Sequence, residues 1–111
     1  MADPGTLSQI LLTAPSASAR CKAARDLVKA GADGVSALIG GLRDRDMDVR
    51  ICAASSLGRI GAPAASARPH LLAAATACQM TVAIPTAADL KNDAKCNELG
   101  NAVREAVGRL R

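Results

Sequence analysis

The chain has 111 residues, half of them hydrophobic, with no Phe, Tyr or Trp and a net charge of +4. That length holds one small domain, and without aromatic rings its core must come from leucines, valines and closely approaching alanine faces. No run of about 18 apolar residues exists, which excludes a membrane-spanning helix, and the N-terminal MADPGTLSQ lacks the basic start and apolar run of a signal peptide.

Abundant alanine points to an all-α fold. Asp3-Pro4 reads as an N-cap followed by proline at the first helical position, opening a short helix to about Thr13 with Leu7, Ile10 and Leu11 on one face. Pro15-Ser16 ends it and caps the next. From Ala17 to Ala30 the small or apolar positions recur with a 3.6-residue period, and Gly31 is a stop. Asp33 is placed to cap a third helix, whose apolar face is Val35, Leu38, Ile39 and Leu42. Asp46 is placed to cap a fourth, closed by Gly61. This helix carries two apolar stripes, Val49, Cys52, Ala53, Leu57 and Ile60 on one side and Ile51, Ala54 and Gly58 on the other. Two stripes mean burial on two sides, as an inner helix of a stack requires. A fifth helix falls within Pro63 to Cys78, its regular part starting near Ala67 because Pro69 is tolerable only in a first turn. Beyond Gln79 the pattern decays. Met80 to Ile84 reads as an uncharged extended lead-in, and the remainder to Arg111 as either two helices or one long helix from residue 86.

Residues 12–32 and 42–62 nearly repeat at an offset of thirty: Leu12 falls on Leu42, Ala19-Arg20 on Val49-Arg50, Leu27 on Leu57 and Gly31-Ala32 on Gly61-Ala62. Such a period indicates a stacked array. The expected architecture is a short α-solenoid of about three stacked helical hairpins. Residues 4–15 would form an N-terminal capping helix, 16–43 a first repeat, 44–78 a second and 79–111 a degenerate third.

The stretch GADGVSALIGGLRDRDMDVR (31–50), continuing through Ala53-Ala54 to LGRIG (57–61), resembles HEAT repeats, specifically the bacterial HEAT-like type named after phycobilisome lyases. The resemblance covers residues 7–78 clearly and 79–111 loosely. It implies an α-solenoid that holds other proteins, with a minority of members attaching bilin pigments or binding DNA. It also implies a structural ladder of ion pairs and backbone hydrogen bonds between repeats. Here Asp44 or Asp46 with Arg50 would form that element, with Arg20 its counterpart one repeat earlier. Ala14 and Ser16 stand where the earlier aspartates belong, so Arg20 is expected to be unpaired or solvent-facing.

No CxxC or Cys/His pairing at zinc spacing is present, so no metal site is expected. Cys21 and Cys52 read as small buried hydrophobes, while Cys78 and Cys96 can meet across a helical hairpin. A disulfide needs an oxidising compartment, so free or buried thiols and a cytoplasmic location are the expectations. His70, the lone histidine, has no evident catalytic companion. A bilin lyase-like accessory subunit would need a pocket rich in acidic and aromatic residues, and the chain has only Glu98 and Glu105 and no aromatics. No cofactor is implied.

The expected function is therefore a non-catalytic protein–protein interaction module. Helical phase nominates Arg43, Arg45, Arg59, Arg68 and His70 as partner contacts, with Met80, Val82 and Ile84 an alternative docking segment. That segment can equally be an apolar lid on the end of the stack, or join two copies in a homodimer. The alternative function is nucleic-acid backbone binding through a basic face of Arg43, Arg45, Arg50, Arg59 and Arg68, with Arg104, Arg109 and Arg111.

Overall fold

Gly31 and Gly61 punctuate the chain at equivalent points, with φ of 59° and 78°. Both lie in the region that side chains avoid, so glycine turns the chain sharply there and the next helical segment starts at once. A computed structural model describes residues 4–78 and 87–110. Among these the α-helices are α1 (Pro4–Thr13), α2 (Ala17–Asp26), α3 (Ala32–Gly41), α4 (Met47–Ile60), α5 (Arg68–Cys78) and α6 (Ala87–Arg109), and there is no strand. Two 3-10 segments complete them: Leu27–Ala30 prolongs α2, and Ala62–Ala67 leads into α5.

The caps follow local chemistry. Ser16 accepts a long hydrogen bond from the Ala19 amide (3.5 Å), and Asp46 accepts one from the Asp48 amide (2.9 Å). Asp33 does not cap α3. The turn at Gly31 starts the helix at Ala32, which leaves Asp33 as an acid in the first turn, where it still complements the helix dipole. After Thr86 the chain forms one helix rather than two.

Three hairpins, α1–α2, α3–α4 and α5–α6, stack in a row. Helix α2 packs on α4 and α4 on α6, while α1 packs on α3 in the other layer. The envelope, 46 × 33 × 14 Å, is that of a strung array rather than helices gathered around a cavity. Helix α4 lies at the centre with Val49, Ala53, Ala54, Leu57 and Gly58 all buried, so both of its stripes are used. Leu11, Leu27, Leu38, Leu71, Leu99 and Leu110 fill the space between layers. Small residues set the closest approach. A β-carbon on Gly58 would lie 2.9 Å from the Ala106 Cα, so α4 and α6 touch backbone to backbone.

The cysteines depart from expectation. Cys21 of α2 and Cys52 of α4 are joined in a disulfide, with Cα atoms 5.5 Å apart, rather than standing as separate small hydrophobes. Neighbouring helices of the inner layer carry them at the same level, which their positions within the repeat do not reveal. Cys96 is disulfide-bonded as well; the Cys78 side chain lies outside the described residues.

Candidate functional site: a cationic groove between outer helices

Two arginines at equivalent points of the repeat organise the site. Arg20 donates from Nη1 to the Ala14 carbonyl, 2.6 Å, and Arg50 donates from Nε to the Asp44 carbonyl, each reaching six residues back to brace its own turn. Arg20 goes further. Its Nη2 donates to Asp44 Oδ1 at 3.4 Å, and its Nε lies 3.0 Å from Oδ2, off the line of a hydrogen bond. Asp44 Oδ1 also accepts from the Asp46 amide, 2.9 Å. Arg20 is 7% exposed, so it is neither unpaired nor solvent-facing. The expectation failed because it sought an acid in the preceding turn, whereas the partner stands one repeat ahead. Asp46 serves as a helix cap instead.

Among the described residues Arg50 has no such acid. Beyond the Asp44 carbonyl its contact is from Nη1 to Met47 Sδ, 3.2 Å, a weak acceptor. From Val49 to Ala88 the sequence contains neither Asp nor Glu, so the next turn cannot supply a carboxylate. Instead Arg50 borders a groove of about 280 Å³, lined by Ile39, Leu42 and Arg43 from the end of α3 and by His70, Ala73 and Ala74 from α5. Arg43 is exposed, whereas Arg50 and His70 are half-buried. The groove exists because α3 packs against the 3-10 segment Ala62–Ala67 that precedes α5. That segment, begun by Gly61 and Pro63, holds α5 off α3.

The profile of HEAT repeats matches residues 5–89. The chain belongs to the HEAT repeat family. The match carries the general description and does not single out the phycobilisome-lyase type. No curated protein and no solved structure shows significant similarity to the chain.

The HEAT array brings only some of the nominated residues together. Arg43 and His70 share the groove, and Arg50, nominated only for the ladder and for nucleic acid, joins them. Arg45 is exposed in the neighbouring turn but does not line it. Arg59 faces the other layer, between a shallow depression shared with Arg25, Ile51 and Cys52 and another shared with Glu105 and Arg109. Arg68 donates to the Leu110 carbonyl at 3.5 Å, tying α5 to the end of α6. Arg109 pairs with Glu105 at 2.8 Å and Arg104 bonds Asn101. The arginines of the HEAT array are thus dispersed over several sites, several of them occupied locally. Met80, Val82, Ile84 and Arg111 lie outside the described residues, as do the lid and the dimer contact expected there. Among the described residues no group of three or more His, Cys, Asp or Glu could hold a metal, and no helix is long and apolar enough to cross a membrane.

Proposed function

We propose that this HEAT array is a non-catalytic docking module that holds another protein in the groove between α3 and α5. HEAT repeats commonly act as interaction scaffolds, which supports the general reading. The observation that carries it is the groove itself: an open apolar floor of Ile39, Leu42, Ala73 and Ala74, edged by Arg43, Arg50 and His70. A surface of that mixed character suits a protein segment. Among the described residues its lining offers one imidazole and no serine, cysteine or carboxylate for it to activate. Nucleic acid is less well served, because the arginines do not form one stripe and no aromatic ring is available for stacking on bases. The Cys21–Cys52 bond supports an oxidising compartment as the setting rather than the cytoplasm.

The test places a photoreactive amino acid at Ala73, which is exposed within the groove, and irradiates the source cells. A protein adduct at Ala73, with none from the same group at Ser36, is the expected result. An adduct to nucleic acid or to a coloured pigment would overturn the reading.

A further inference from the structure

Arg20 and Arg50 each reach the carbonyl six residues back, Arg20 through Nη1 and Arg50 through Nε, and they differ in what lies beyond it. At Arg20 the outward side of the guanidinium meets a carboxylate. At Arg50 that edge is partly taken, since Nε already serves the Asp44 carbonyl, and the side chain borders a groove that no acidic side chain lines among the described residues. A guanidinium has five N–H donors; those of Arg50 reach one carbonyl and one thioether.

We infer that the groove takes an aspartate or glutamate side chain of the docked protein, its carboxylate held between Arg50 and Arg43 on the rim. The inference rests on the docking reading and gives it a chemistry. Charge-assisted bonds to a guanidinium are the strong ones, and Arg43 adds a second, exposed cation on the same rim. The floor of Ile39, Leu42, Ala73 and Ala74 accommodates the methylene stem and small apolar neighbours of the acidic residue. At about 280 Å³ the space is near the lower limit of ordinary ligand pockets, the scale of a side chain rather than a cofactor.

The probe is the capped peptide acetyl-Ala-Leu-Glu-Leu-Ala-amide, titrated into the full oxidised chain and followed by amide chemical shifts. Saturable shifts are expected at Arg43, Arg50, His70 and Ala73. Replacing the peptide's glutamate with glutamine should weaken binding by about tenfold or more, the loss of one charge-assisted bond. Arg43→Gln, at an exposed position that braces nothing, should weaken it similarly. Arg50→Gln should abolish it in a chain whose amide dispersion shows that it is folded. No saturation at several millimolar peptide, equal binding of the glutamine peptide, shifts centred elsewhere, or tighter binding of inorganic phosphate at the same residues would each overturn the inference. If the Ala73 cross-link still captures a protein while the glutamate peptide gains nothing over glutamine, docking stands and the carboxylate does not. If the cross-link captures no protein, the docking reading itself fails.

Discussion

Arg20 and Asp44 face each other across the boundary between the first and second hairpins, the guanidinium Nε 3.0 Å from Oδ2 with both side chains largely buried. The aspartate simultaneously fixes the amide of Asp46, the residue that caps α4. One carboxylate therefore couples the stacking of two repeats to the start of the central helix.

Removing that acid leaves a buried arginine uncompensated. Asp44→Ala should cost about 3 kcal/mol, read as a lower urea midpoint with unchanged slope when helicity is followed by circular dichroism. Replacing both partners, Arg20→Met with Asp44→Leu, should cost clearly less than the sum of the single changes. Additive costs would show that the two side chains do not interact.

Gly58 and Gly108 give opposite outcomes for the same substitution. A methyl at Gly58 meets the Ala106 Cα at 2.9 Å and its Cβ at 3.0 Å, and backbone cannot step aside. Overpacking of about 1–3 kcal/mol exceeds the helix-propensity gain of about 1 kcal/mol, so Gly58→Ala should destabilise. Gly108 has nothing within 4 Å. Gly108→Ala should keep most of the propensity gain, about 0.5–1 kcal/mol. Thermal melts of the two variants check both signs.

The Cys21–Cys52 bond closes a loop of 31 residues. Chain-entropy reasoning assigns such a cross-link about 3–4 kcal/mol. Cys52→Ala should lower stability by that order, and a thiol reductant should lower the unmodified chain at least as far, since it also opens the Cys96 disulfide. A reductant effect that persists in Cys21→Ala/Cys52→Ala would instead belong to the Cys96 disulfide.

Lys95 on α6 donates to Asp48 at 2.6 Å near the start of α4. The hydrogen bond and then the charge of Asp48 raise the Lys95 pKa above its ordinary 10.5. A raised lysine contributes fully below its unfolded value and loses the contribution as pH climbs through the folded one. The melting-temperature gap between the unmodified chain and Lys95→Met should hold up to about pH 10 and close above it. Because the pair is exposed, added salt should narrow the gap wherever the lysine is charged.

The helix ends were legible because they rest on local chemistry: Ser16, Gly31, Asp46 and Gly61 act within three or four residues of themselves. The two stripes of α4 were legible for the same reason, since periodicity shows which faces are buried. What joins the repeats was not. Arg20 finds its acid 24 residues away. At the offset of thirty, Cys21 aligns with Ile51 and Cys52 with Lys22, so the repeat itself hides that the thiols are neighbours. The groove draws on three helices and depends on how far a 3-10 segment pushes α5 from α3, a distance that no local pattern encodes. One signal was present throughout, the absence of any acid between Asp48 and Asp89, and it gains meaning only beside the Arg20–Asp44 contact.

A core packed from leucine, valine and alanine alone makes this protein optically silent above the absorption of its peptide bonds and disulfides. Any tryptophan emission from a purified complex therefore originates wholly in what it has bound. The first titration against a candidate can use that light directly, with no label attached to either molecule.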